Sequence, residues 1–165
     1  VLATRFPFMA DVFMATIAKA YAVGLSLDFI VAPDIVTRGK QSLDFSLSWA
    51  FGELLTAQNL ALAVQDGMTP RDISNTRAPR RFSHLFIGGT EDWKWSTAEE
   101  WIKYAHGVGM KAHIGRCGTL DRLRLAEKWG ADSVDSTSFV RNKSWHILEQ
   151  FRRSGVPLFE RTDVG

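Results

Sequence analysis

An α/β fold built on a parallel sheet is what this sequence predicts, and three observations predict it. Short apolar runs recur at residues 27–32, 60–64, 84–87, 111–114 and 132–135, with little inside–outside alternation. Segments with helical apolar spacing lie between them. Each strand and its following helix together have the length of a βα module. Buried strands joined by helices mean a parallel sheet with covered faces. A doubly wound sheet and part of a (β/α) barrel both satisfy the pattern, and both gather chemistry at the C-terminal ends of their strands.

The elements follow in order. Ala10, Phe13, Met14, Ile17, Ala18, Tyr21 and Ala22 recur at helical spacing, so residues 8–24 read as a helix, with Gly24 as its stop. Residues 27–32 form a strand that ends at Pro33 and Asp34. A helix over 42–55 carries Leu43, Leu47, Ala50, Phe51 and Leu54 on its apolar side. The strand 60–64 ends in Gln65-Asp66-Gly67. Thr69-Pro70-Arg71-Asp72 opens a short helix with Pro70 in its first turn. Residues 75–81 read as a basic loop.

The strand 84–87 runs into Gly88-Gly89-Thr90. Ser96-Thr97-Ala98-Glu99 has the capping-box pattern and predicts a helix from there through Ala105, stopped near Gly107 or Gly109. The strand 111–114 ends in Gly115-Arg116-Cys117-Gly118. Thr119 starts a helix that runs to Trp129 and stops at Gly130. The strand 132–135 is followed by Ser136-Thr137-Ser138. A last helix spans 142–153, with Gly155 as its stop.

A chain of 165 residues, 45% hydrophobic and 23% charged, predicts one globular domain over residues 1–165. The opening Val1-Leu2, running almost at once into an amphipathic segment, suggests a fragment or a chain with a non-standard start. A single cysteine, Cys117, rules out an internal disulfide and any multi-cysteine zinc site. With no signal-like start this fits a reducing, cytoplasmic setting, and no apolar run reaches the ~18 residues of a spanning helix. The net charge of +2 is compatible with a polyanionic partner without arguing for one. Basic residues do cluster at Arg77, Arg80 and Arg81, at Arg116, Arg122 and Arg124, and at Arg141, Lys143, Arg152 and Arg153. Solvated faces and helix C-termini account for such clusters as readily as a ligand does.

Asp34, Asp66 and Asp135 stand at three strand ends. Carboxylates so placed can divide nucleophilic work from substrate hydrogen bonding, or can each cap a helix. Gly88-Gly89 permits close approach of a ligand to backbone, or makes a plain turn. Ser136, Thr137 and Ser138 either orient Asp135 or form a turn. Trp93 and Trp95 either wall a base-sized pocket or pack in the core. His84, His106, His113 and His146 lack metal-like spacing and read as packed or surface residues. Cys117 has no base placed beside it by sequence and reads as structural.

Taken together, the strand ends resemble the tRNA-guanine transglycosylase superfamily, and within it the phage-type 7-deazaguanine DNA transglycosylase-like proteins. The resemblance covers about residues 25–141, the later strands of the family's TIM barrel. Phe29-Ile30-Val31-Ala32-Pro33-Asp34 followed by Ser46-Leu47-Ser48-Trp49-Ala50 is similar to the fourth strand and its helix. Val64-Gln65-Asp66-Gly67 stands for the fifth strand end, Ile87-Gly88-Gly89 for the sixth, and Ile114-Gly115-Arg116-Cys117-Gly118-Thr119 for the seventh. Asp132-Ser133-Val134-Asp135 matches the Asp-x-x-Asp of the eighth.

The resemblance implies an α/β fold of TIM type, of which only the later five strands and their flanking helices are present. It implies exchange of guanine for a 7-deazaguanine base in DNA or tRNA, with Asp135 as nucleophile. Asp34, Gln65, Asp66, Gly88, Gly89, Ile114 and Gly115 would bind the base, and Arg116 and Arg141 the nucleic acid. Asp132 would be structural. No metal or cofactor is implied, and a homo-oligomer or a missing barrel half would complete the sheet. The chain departs from the family in lacking an Asp-Ser-Gly-Gly motif before Leu25 and the cysteines of the family's zinc site. Ser136 stands where a cysteine usually follows the nucleophile, and Lys94 stands near a glutamate position, with Glu91 and Asp92 close by. Two other readings are a non-catalytic nucleobase- or nucleic-acid-binding relative, and a phosphate-binding TIM-barrel lyase or isomerase. The last requires a lysine at a strand end, for which Lys94, in a loop, and Lys111, at a strand start, are poorly placed.

Overall fold

A computed structural model describes residues 9–153 of the chain. Phe8 and Gly155, expected at the outer limits of the first and last helices, lie outside the described residues, as do Val1 and Leu2. In order the elements are α1 (Ala10–Ala22), β1 (Ile30–Val31), α2 (Lys40–Phe51), β2 (Leu60–Val64), α3 (Pro70–Ser74), α4 (Ala78–Arg81), β3 (His84–Ile87), α5 (Glu91–Gly107), β4 (Lys111–Ile114), α6 (Leu120–Lys128), β5 (Ser133–Val134), α7 (Ser138–Arg141) and α8 (Trp145–Arg153).

The five strands are all parallel and pair in the order β1-β2-β3-β4-β5, forming a curled half-barrel sheet flanked by helices. A doubly wound sheet reverses its strand order at a switch point. This sheet has no reversal, so that alternative is excluded for the described strands. Side chains alternate across each strand, and the two faces differ in chemistry. Leu60, Leu62, Val64, Leu85, Ile87, Ala112 and Ile114 join the helices in one continuous core. The alternate positions carry Ala61, Ala63, Gln65, His84, Phe86 and His113, which line the other, concave face.

Helix ends are set locally where the sequence carries the signal. Thr69 and Asp72 form a reciprocal capping box at α3. Thr119 accepts from the Arg122 N–H and starts α6 as expected. Gly130, at φ 82°, closes α6 with paired bonds from its own N–H to Glu127 and from Ala131 N–H to Ala126. That left-handed turn aims the chain directly into β5.

Several boundaries differ from expectation, and tertiary bonds explain most of them. The basic stretch 75–81 is not all loop, since Ala78–Arg81 is a helical turn. Its Arg81 guanidinium reaches back to carbonyls of Ala50 (2.9 Å) and Leu54 (2.5 Å) at the end of α2. α5 starts at Glu91, five residues before the Ser96 box, and Ser96 and Thr97 instead bond back to the Trp93 carbonyl inside the helix. Ser136, whose hydroxyl accepts from the Ser138 N–H, and Thr137 make the turn that leads into α7 at residues 138–141, and Asn142 caps α7 rather than opening α8. α2 begins at Lys40, which places Ser42 inside the helix and buries it. β1 and β5 pair over only two residues each.

Every buried side-chain nitrogen or oxygen among the described residues has a hydrogen-bond partner. No described helix is long and apolar enough to cross a membrane. Arg81→Met removes the donors that satisfy the end of α2. It should lower the unfolding free energy in urea titrations by about 1–3 kcal/mol, while Arg81→Lys recovers part of the loss.

Candidate functional site

The parallel register builds the site. Val64, Ile87, Ile114 and Val134 stand opposite one another across β2–β5. The pairing continues for one residue beyond them: Gly88 N–H bonds Val64 O, Gly115 N–H bonds Ile87 O, and Asp135 N–H bonds Ile114 O. The next row at the C-terminal rim is therefore Gln65, Gly88, Gly115 and Asp135, all on the concave face. Its two ends carry functional side chains and its middle carries none. Three strand spacings, about 14 Å, separate the end strands.

One step below runs the row Ala63, Phe86, His113 and Ser133. Phe86 lies beneath the glycines. A Cβ on Gly115 would sit 2.8 Å from the Phe86 ring, and one on Gly88 would meet the same ring at 3.7 Å. The edge of the Phe86 ring thus packs against the two glycines on the concave face, in the space their side chains would take.

At one end, Gln65 is buried and its amide is engaged on both sides. Nε2 donates to Asp34 (2.9 Å) and to Ser42 Oγ (2.8 Å), and Oε1 accepts from Thr37 N–H. Gln65 thus aims Asp34. Burial pushes the Asp34 carboxyl above its usual range, against the Gln65 bond that lowers it. Ser46, from the same helix as Ser42, ties Pro33 O at 2.8 Å and holds the end of β1.

At the other end, Asp135 is half-exposed. His113 Nε2 lies 3.1 Å from Oδ2, and Arg116 N–H donates to Oδ1 at 2.9 Å. The His113 bond, reinforced by Arg116, outweighs burial and holds Asp135 below the usual carboxylate range. Arg116 sits at φ 64°, a region uncommon for a residue with a Cβ. Three bonds keep it there: its own N–H to Asp135, Cys117 N–H to Asp135 O (2.7 Å), and its guanidinium to Gly89 O.

Between the ends, Asp66 accepts from Thr90 N–H (2.7 Å) and Thr90 Oγ1 (2.5 Å). Asp66 therefore braces the Gly88-Gly89 turn. Gly89, at φ 77°, leaves no room for a Cβ, which would fall 2.6 Å from both Asp66 Oδ2 and the Trp93 ring. Glu91 gathers Lys94 (3.0 Å), Trp95 Nε1 (3.1 Å) and Arg122 (2.6 Å). Burial raises its pKa, but those partners outweigh burial and leave it below the ordinary value.

Lys94 lies in α5, not in a loop. It is fully buried, and its ammonium donates to Gly115 O at 2.7 Å. Burial lowers its pKa against the Glu91 bond that raises it. It ties α5 to the end of β4 and does not face the concave side. Ile114 is fully buried in the helix-side core, and its carbonyl accepts from Asp135 N–H, so it supports the rim from below. Asp132 accepts from Ala112 N–H (2.7 Å) and contacts His106 (2.9 Å), a structural task. Burial pushes the Cys117 thiol up to about 12, which makes it a poor nucleophile.

Beside Asp135 opens a cleft of about 520 Å³, lined by Arg116, Arg122 and Arg141, by Gly118 and Thr119, and by the hydroxyl-bearing segment 136–138. Gly118 admits this packing, because a Cβ there would strike Ser138 Oγ at 2.4 Å. A second cavity of about 570 Å³ lies at the opposite, N-terminal end of the strands against α1, away from every carboxylate of the rim. Among the described residues no cluster of three or more His, Cys, Asp or Glu is placed to hold a metal ion.

The structure thus brings Asp34 to Gln65, Asp66 to the Gly88-Gly89 turn, and Arg116 to both Asp135 and Gly89. Arg141 lies in the cleft with Arg116. Among the described residues no hydrogen bond joins the Asp34–Gln65 pair to Asp135. The residues missed by sequence reasoning are His113, Ser133 and Phe86. The one available signal was parity, since Ser133 and Asp135 are two apart and therefore share a strand face. No protein-family model, curated protein or solved structure matches the chain.

Gly115→Ala should destabilise the protein by about 1–3 kcal/mol through the clash with Phe86. In a double-mutant cycle with Phe86→Leu, the two costs should fall short of additivity by at least about 0.5 kcal/mol.

Proposed function

We propose that this chain carries the later strands of a TIM-type barrel and acts as a guanine transglycosylase, exchanging guanine for a 7-deazaguanine base in nucleic acid. The observation that carries the reading is the rim row Gln65, Gly88, Gly115 and Asp135. It sets a base-reading pair and an ionised carboxylate on either side of two glycines, with the Phe86 ring packed against them. A planar base brought to this row would meet backbone at the glycines and the edge of the Phe86 ring.

The two carboxyls divide the work, because their surroundings push their pKa values in opposite directions. Asp135, held below the usual range, attacks C1′ of the target nucleoside. A bond forms between its oxygen and C1′ as the bond from C1′ to N9 breaks, and the electron pair leaves with guanine. The glycosyl ester is then attacked by N9 of the incoming base, which restores the carboxylate. The proton lost by the incoming N9 balances the one gained by guanine, so the exchange is neutral overall. Asp34, aimed by Gln65, accepts from the N–H groups on the base edge. Backbone at Gly88-Gly89 and Gly115 supplies the surrounding contacts.

For C1′ to meet Asp135 the target nucleotide must leave its stack. Arg116 and Arg141 then hold flanking phosphates, with Arg122 in the same cleft. Arg122 is paired with Glu91 at 2.6 Å and lies 5.3 Å from the Trp95 ring, and Arg116 also lies 3.7 Å from Glu91, so both charges are partly engaged within the cleft.

Asp135→Asn should abolish covalent trapping of the chain on guanine-containing nucleic acid while leaving binding of a 7-deazaguanine base in place. Trapping by the Asn variant would overturn the assignment. Base binding by the wild type without any trapping or exchange would instead support a non-catalytic relative. Arg141→Ala should weaken nucleic-acid binding alike for all sequences, and the slope of log affinity against log salt should shrink by about 1 in magnitude.

A further inference from the structure

We propose that His113 is the positioning residue of Asp135, fixing the direction in which its carboxylate faces the rim. The inference rests on the reading of Asp135 as the attacking group, though its structural content is separable from that reading. His113 is 6% exposed, while the Asp135 side chain is 50% exposed. In a Ser-His-Asp triad the carboxylate is buried and orients the histidine. Here the burial is reversed, so the histidine is the support and the carboxylate is the group presented outward.

The support is built on three sides. Phe86 stacks on the imidazole at 4.9 Å with 23° between planes, and Phe29 meets it edge-on at 5.1 Å and 68°. Ser133 Oγ lies 2.7 Å from Nδ1, and Asp135 Oδ2 lies 3.1 Å from Nε2. Ser133 and Asp135 are two apart on one face of β5, and Ser133 stands opposite His113 in the sheet register. The ring is thus clasped between two residues of the neighbouring strand. An ionised carboxylate only accepts, so Nε2 must carry hydrogen; the Ser133 hydroxyl can donate to Nδ1 or accept from it. With Arg116 N–H on Oδ1, both rotatable bonds of Asp135 are fixed while each oxygen retains a second lone pair.

An aspartate is ionised at neutral pH without help, so aim is the gain for the attack. The same donor remains on the ester formed at Asp135 and favours its departure in the second step. A support that acts on the carboxylate itself leaves a mark that mere packing does not, because removing it changes how Asp135 titrates.

The test follows the Asp135 carboxyl by ¹³C NMR and the His113 ring by ¹⁵N NMR, with no substrate present. The Lys94 ammonium, whose charge acts on Asp135 from the helix side, and the Arg116 N–H stay in place throughout. In the wild type the ring should carry hydrogen on Nε2. His113→Phe, which keeps the stacking and removes the donor, should move the Asp135 midpoint up by about 1 pH unit. His113→Gln, whose amide can reach the same oxygen, should restore most of the difference. A neutral Nδ1–H tautomer in the wild type, which needs no variant to fold, would overturn the proposal. So would an unchanged Asp135 midpoint in folded His113→Phe. If the titrations behave as expected while wild-type protein traps no nucleic acid, positioning is supported and the nucleophile reading alone is overturned.

Discussion

In-register pairing of β2 to β5 is the constraint on which the rest of this structure depends. Parallel strands place all their C-terminal ends at one rim, but that alone does not say which residues stand side by side. Here the ladder runs one residue past the last regular pair, through Gly88, Gly115 and Asp135. A slip of one residue in any strand would turn its rim side chain to the helix side. Asp135 would then face the apolar core that holds Ile114, and the pair of glycines between the two ends of the row would be broken. The core resists that slip, because Leu62, Leu85 and Ile114 are all fully buried on the helix side.

Polar bonds then convert the register into a rigid rim. The loop after β4 is tied to three places: to Asp135 by the Arg116 and Cys117 amides, to Gly89 by the Arg116 guanidinium, and to α5 by Lys94. Asp66 ties the turn after β3 to the end of β2. Each loop is therefore held by its neighbour's residues and not by its own. Such cross-strand bracing positions reacting groups better than loops that satisfy only themselves. A buried lysine is costly on its own, and Lys94 is tolerated because Glu91 and the Gly115 carbonyl satisfy it. That cost secures the geometry of the loop carrying Arg116.

Much of the fold was legible because its signals are local. Continuous apolar runs marked β2, β3 and β4 to the residue, and Thr119 and Gly130 bracketed α6. Local signals misled where a side chain had a distant partner. Ser96 and Thr97 look like a helix start because a cap and a back-bonding hydroxyl use the same residue types. The true start of α5 is governed by Asp66 taking the hydroxyl and amide of Thr90 from another strand. Arg81 looked like solvated loop because no local pattern reveals that its guanidinium caps α2 some 27 to 31 residues earlier.

The candidate site divides the same way. By itself the sequence determined that carboxylates and glycines end the strands, since residue type and strand position are properties of the chain alone. It also determined, through parity, that Ser133 and Asp135 share a face. Only the tertiary structure decided that Asp34 is aimed by Gln65, that Asp66 braces a turn, and that Gly115 is small because Phe86 lies against it. It also decided that His113, which reads as an ordinary packed histidine, stands under Asp135. The reason is physical: a hydrogen bond across strands depends on register. Register is settled by the burial of many apolar side chains at once, and no short stretch of the chain contains it.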